Sequence, residues 1–167
     1  MSISEIFDGL IKQQIPALLT ILEKGQQFAA EQSVDEADLL QARLADDMQP
    51  MLWQVQTTLE LIARGANRLC HQELTSLSFE QNNLSDLINE VKLILSSLET
   101  MDREALNKSA DTTYEIPVGP EATLSLTGQE YVLKFLLPNV YFHLTTTYAL
   151  LRMKGLQLGK RDYMGPF

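Results

Sequence analysis

Two histidines, one cysteine and dispersed carboxylates are the side chains in this 167-residue chain with ligand or proton-transfer chemistry. His143 stands in the run Pro138-Asn139-Val140-Tyr141-Phe142-His143-Leu144-Thr145-Thr146. Imidazole is the commonest transition-metal ligand, but a catalytic site needs about three protein ligands and an open position. His143 alone does not supply that set. Asp46 or Asp47 offers a carboxylate, and each also reads as a surface acid at the start of a helix. As a general base, His143 needs a pocket and an orienting partner. Asn139 lies one turn before it and Thr147 one turn after, whereas Tyr141 and Tyr148 point to other faces. No serine or cysteine is placed by a nucleophile motif. A histidine among Asn, Thr and Gln side chains also makes a hydrogen-bond network that fixes helix register. His71 falls at the far end of its helix and cannot join His143. Cys70, beside Leu69 and Ala66, reads as a small buried hydrophobe rather than a reactive thiol.

These residues must be positioned by helices, and the apolar spacing supplies four. Helix one is predicted from about Ser4 to about Gln32, on Phe7, Leu10, Ala17, Leu18, Ile21, Leu22 and Phe28, with a kink at Pro16. Leu39, Leu40 and Leu44 predict a short packed turn. Helix two is predicted to begin near Asp46-Asp47, with Pro50 in its first turn and a stripe of Met48, Met51, Leu52, Val55, Leu59, Ile62, Ala66 and Leu69. Gly65 and Ala66 invite close approach by a neighbour. Trp53, Met48 and Met51 form a soft apolar group, read as core. Helix three follows Ser78, whose spacing to Gln81 is that of a capping box, and carries Leu84, Leu87, Ile88, Val91, Ile94, Leu95 and Leu98.

From Thr112 to Thr127 the period falls to two, around the turn residues Gly119 and Pro120, which predicts a β-hairpin. Helix four opens on the capping box Thr127-Gly128-Gln129-Glu130, buries Val132, Phe135, Leu136, Phe142, Ala149 and Met153, and bends at Pro138. Gly155 reads as its C-cap, and residues 155–167 as a tail rich in glycine and charge. The expected fold is therefore mainly α: one domain over residues 1–167, a four-helix bundle with a small β-hairpin between helices three and four.

Composition bounds the rest. A chain of this length buries about 70% of its unfolded surface and needs no disulfide or metal for stability. Net charge is −9, with 13 basic residues thinly spread, so no basic face is available for nucleic acid or for an anionic membrane surface. No run approaches the roughly 20 apolar residues of a membrane span. A single cysteine and no visible secretory signal lead to the expectation of a cytoplasmic protein.

Five stretches carry a resemblance: Arg43-Leu44-Ala45-Asp46-Asp47-Met48-Gln49-Pro50-Met51, then Gln54-Val55-Gln56, Leu126-Thr127-Gly128-Gln129-Glu130-Tyr131, the Pro138 to Thr146 run, and Leu151-Arg152 with Gly159-Lys160-Arg161-Asp162-Tyr163. In these the chain resembles the DinB/YfiT-like four-helix superfamily, and within it the branch of unknown function numbered nineteen ninety-three. The resemblance implies a DinB-like bundle, frequent homodimers, and often a divalent metal held by three histidines, one from the second helix and two from the last, spaced four apart. Some metal-bearing members are thiol transferases. Carried over residue by residue, His143 fits the first histidine of the last-helix pair, while Thr147 stands at the second and Gln54 near the second-helix position. The pattern fails at two ligands of three. The expectation is thus a ligand-binding or structural module, homodimeric, with a degenerate metal site and no cofactor. The alternative is a metal-dependent (zinc or nickel) thiol transferase or hydrolase with an atypical site around His143. The ligand-pocket candidates between helices two and four are His143, Gln54, Met51, Asn139 and Thr147.

Overall fold

A computed structural model describes residues 1–71, 77 and 82–166. The first helical arm begins at Ile3, within a residue of the start that the apolar period indicates. Ser2 caps it, its hydroxyl accepting from the Glu5 N–H while the Glu5 carboxylate accepts from the Ser2 N–H. Helix α1 (Ile3–Gly9) passes through a π-helical turn (Leu10–Gln14) into α2 (Ile15–Gln32). The π turn lies immediately ahead of Pro16, where the Ile15 N–H reaches back five residues to the Leu10 carbonyl. Proline lacks an N–H and its ring crowds the carbonyl four residues back, and a wider turn relieves that crowding. The kink expected at Pro16 takes this form.

Asp35 caps the short α3 (Glu36–Leu40), which buries Leu39 and Leu40. Leu44, expected to pack with them, is 45% exposed. Helix α4 runs from Met51 to Cys70 with Pro50 as its N-cap residue. Asp46 and Asp47 therefore lie in the exposed loop ahead of the helix, not in its first turn. The reason is Pro50, whose ring disfavours helical backbone at the residue before it. The expected Ser78–Gln81 capping box lies outside the described residues. Helix α5 (Leu84–Glu99) is capped by Asn83, whose side-chain oxygen accepts from the Asp86 N–H.

Two short helical pieces, α6 (Arg103–Lys108) and a 3₁₀ turn (Ser109–Asp111), lead into the predicted hairpin. Strands β1 (Thr113–Pro117) and β2 (Thr123–Thr127) pair antiparallel, with Tyr114 opposite Leu126 and Ile116 opposite Leu124. Ile116 is buried and anchors the hairpin to the bundle. The Thr127–Glu130 capping box forms with both of its hydrogen bonds and starts α7 (Gly128–Glu130). A second π turn (Tyr131–Leu136) follows, then α8 (Leu137–Met153). It repeats the first device: the Leu137 N–H reaches Val132 five residues back, just ahead of Pro138.

The core is one cluster drawn from all the long helices, with α4 packed chiefly on α8 and α2 on α5. An ideal Cβ on Gly65 would stand 2.9 Å from a Leu136 methyl and 3.5 Å from the Phe7 ring, so close approach at Gly65 is realised. Beyond α8 the chain does not leave the surface as a loose tail. Leu156 and Leu158 are buried, and α9 (Lys160–Met164) packs on α2. The Asp162 carboxylate ties this end down, accepting from the Gly159 N–H and pairing with Lys24.

Candidate functional site

Gln54 lies one turn into α4 and His143 two turns into α8, and the packing of these two helices brings them face to face. Both side chains are buried, His143 at 7% exposure and Gln54 at 2%. His143 Nδ1 and Gln54 Oε1 are 2.7 Å apart. The Gln54 amide nitrogen donates to the Gln49 carbonyl at 3.1 Å, which leaves its oxygen as the atom facing the imidazole. An amide oxygen only accepts, so Nδ1 carries the proton. In the neutral ring Nε2 is then the lone-pair nitrogen. Burial favours the neutral ring, lowering its pKa below the ordinary histidine value.

The surrounding hydroxyls brace the helices rather than the ring. Thr147 Oγ1 donates to the His143 carbonyl at 2.9 Å, Thr146 Oγ1 to the Phe142 carbonyl at 2.8 Å, and Thr58 Oγ1 to the Gln54 carbonyl at 2.8 Å. Asn139 is half-buried and donates to the Phe135 carbonyl at 2.7 Å, in the turn that Pro138 disturbs. Met51 is fully buried in the core cluster. Of the five candidates from sequence, Gln54 and His143 meet side chain to side chain, Thr147 supports the His143 backbone, and Asn139 and Met51 satisfy other neighbours.

Two aromatic residues complete the surroundings, and the apolar stripes did not single them out for this place. Trp53 and Phe142 each stand edge-on to the His143 ring, with centroids 5.3 and 5.2 Å away. Trp53, taken as core, is 40% exposed, and Phe142, assigned to the buried face of helix four, is 55% exposed. Ala149 is half-buried and Met153 is 54% exposed, so that face is carried instead by Val140, Leu144, Leu150 and Leu151. A local signal was present: in both helices an aromatic residue directly precedes the polar one, Trp53-Gln54 and Phe142-His143.

The residues do not fit a three-histidine metal centre. The Gln54 oxygen is engaged by Nδ1, the Thr147 hydroxyl by a carbonyl, and His71 caps the opposite end of α4 beside Tyr114. Among the described residues, no three His, Cys, Asp or Glu side chains converge to hold an ion. Cys70 is buried, and burial foremost, with the nearby Asp102 charge, pushes its thiol up to about 11. A thiol held there is protonated at neutral pH and a poor nucleophile.

Comparison with known proteins follows the same lines. Residues 7–164 match the family model of a domain of unknown function, DUF1993. The crystal structure of a DinB family member protein from Shewanella denitrificans is similar, with a TM-score of 0.86 and 29% sequence identity over 99% of this chain and 94% of that one. No curated protein matches the chain. No helix among the described residues is long and apolar enough to cross a membrane.

Proposed function

The chain belongs to the DUF1993 family, a DinB-like branch of unknown function, and on that premise we propose a non-catalytic ligand-binding or structural bundle whose metal site has given way to a hydrogen-bond network. One observation carries this reading: the buried Gln54–His143 pair, whose amide oxygen faces Nδ1 while its nitrogen donates to the Gln49 carbonyl. Gln and Thr are poor ligands for zinc or nickel and good partners for a neutral imidazole and the backbone. Framed by Trp53 and Phe142, Nε2 is suited to accept one hydrogen bond from a ligand donor. We place the protein in the cytoplasm, as a homodimer formed through the exposed Tyr141–Phe142 face of α8.

Elemental analysis of protein purified without added metal tests the reading. The expected zinc and nickel content is far below one equivalent per chain. The variant His143→Ala, which strands a buried amide, is expected to lose about 1–3 kcal/mol of stability, and His143→Gln less. Stoichiometric zinc or nickel that disappears in His143→Ala would overturn the proposal in favour of a metal-dependent transferase or hydrolase.

A further inference from the structure

Arg64 and Arg68 stand one turn apart on α4, so their side chains share a face. Arg68 is about 20 Å along the helix axis from Gln54. Together with Tyr131 and Phe135 of the last helical arm and Ile116 and Pro117 of β1, the two arginines line a small pocket of about 60 Å³. That is room for a few waters or one small anion. No acidic side chain lines the pocket, in a chain where acids outnumber bases 22 to 13.

Tyr131 is the buried floor, 1% exposed, and the Arg68 guanidinium lies over its ring at 5.2 Å from the centroid. Burial pushes the Tyr131 phenol up, while the charge and hydrogen bond of Arg68 and the charge of Arg64 oppose that push. Both arginines thus lie on the side of the pocket that Tyr131 floors. The protonated phenol has a proton to give to an acceptor. Like charges one turn apart on a helix repel. The exposed Arg64–Glu60 bridge, at 3.0 Å, is screened by water and offsets little of that. The remaining lining residues, Leu61, Ile116, Pro117 and Phe135, are apolar, and partial shielding from water strengthens any charge pairing formed there.

We propose that this pocket is a binding site for a small oxyanion group, a carboxylate or a phosphate. The planar Arg68 fork matches two oxygens of such a group. The Tyr131 hydroxyl supplies a third donor and Arg64 a second charge. The hairpin contributes the wall that excludes water, through Ile116 and Pro117. The site is independent of the His143 network and stands or falls separately from it.

Calorimetric titration with sodium phosphate and, separately, sodium acetate, at ionic strength held constant with sodium chloride, tests the proposal. The wild type should bind at least one of the two saturably. Arg68→Lys keeps the positive charge near the helix end but loses the fork, and should weaken binding by about tenfold. Arg68→Gln should abolish it, with circular dichroism confirming the fold, and Arg68→Lys carries the comparison if Arg68→Gln does not fold. Preference for phosphate assigns a phosphate group to the site, and preference for acetate assigns a carboxylate. No saturable binding of either anion, or equal affinity in wild type and Arg68→Lys, overturns the site.

Discussion

His143 shows how much one residue's meaning depends on its partners. Its pairing with helix two was approached through the resemblance, which set Gln54 and Thr147 at the positions of the superfamily's other histidines, where amide and hydroxyl chemistry is possible and ligation is poor. The aromatic frame did not follow, since Trp53 and Phe142 read as core by hydrophobicity and only the packing shows their exposure. Burial lowers the His143 pKa, so the folded state binds this proton less readily than the unfolded state. The linkage then has one sign. The contribution of the neutral ring is full above the unfolded value, about 6.5, and is lost as pH falls toward the lower folded value. Urea midpoints measured from pH 7.5 down to pH 5 are therefore expected to fall more steeply for the wild type than for His143→Gln, whose amide does not titrate in this range. Parallel pH profiles would show that the ring is not held neutral by the fold.

At the scale of elements, the four helices, the hairpin and the Thr127–Glu130 capping box were legible, because each rests on a local period or a side-chain-to-backbone bond. The missed phase of the last helix has its cause in the π turn ahead of Pro138. A π turn takes about one residue more than an α turn. A 3.6-residue period counted across Tyr131–Leu136 therefore ends about one residue out of phase. This is how Phe142 and Met153 came to be assigned inward while Val140 and Leu144 are the buried residues. The absence of charge between Phe135 and Leu151 removed the polar face that would have corrected the phase. The junction of hairpin and last helix is the tightest point. A Cβ on Gly128 would lie 2.2 Å from the Ser109 carbonyl oxygen, and the Gly128 N–H donates to the Thr112 carbonyl at 2.9 Å. A backbone atom cannot rotate aside as a side chain can. Gly128→Ala is therefore expected to cost at least about 1–3 kcal/mol in urea unfolding. Gly9 has nothing within 4 Å of its added Cβ and sits in a helix, so Gly9→Ala should stabilise by roughly 0.5–1 kcal/mol. Equal effects at the two sites would mean that the Ser109 contact is not a constraint.

At the scale of the whole molecule, charge and hydrophobicity are unevenly distributed. A chain of net charge −9 repels its own copies over most of its surface. The outer side of α8 is the exception: from Phe135 to Leu151 there is no Asp, Glu, Lys or Arg. Tyr141 and Phe142 are exposed there, beside Leu44, and with Pro138, Thr145 and Ala149 they line a shallow groove of about 400 Å³. Two copies meeting by a two-fold axis on the Pro138–Ala149 part of this face bring no charged side chains of that stretch together, and the same aromatic residues serve both sides. A stable interface needs about 800 Å² from each partner. Light scattering at micromolar concentration should therefore give twice the 18.8 kDa chain mass. Salt sharpens the expectation, because the long-range repulsion between two acidic bodies is screened while apolar contact is not. Raising ionic strength should tighten the dimer, opposite to the behaviour of one held by ion pairs. Phe142→Glu places a charge at the centre of the face and should give a folded monomer. A wild-type mass near 18.8 kDa at all salt concentrations, or a Phe142→Glu variant that remains dimeric, would remove α8 as the contact surface.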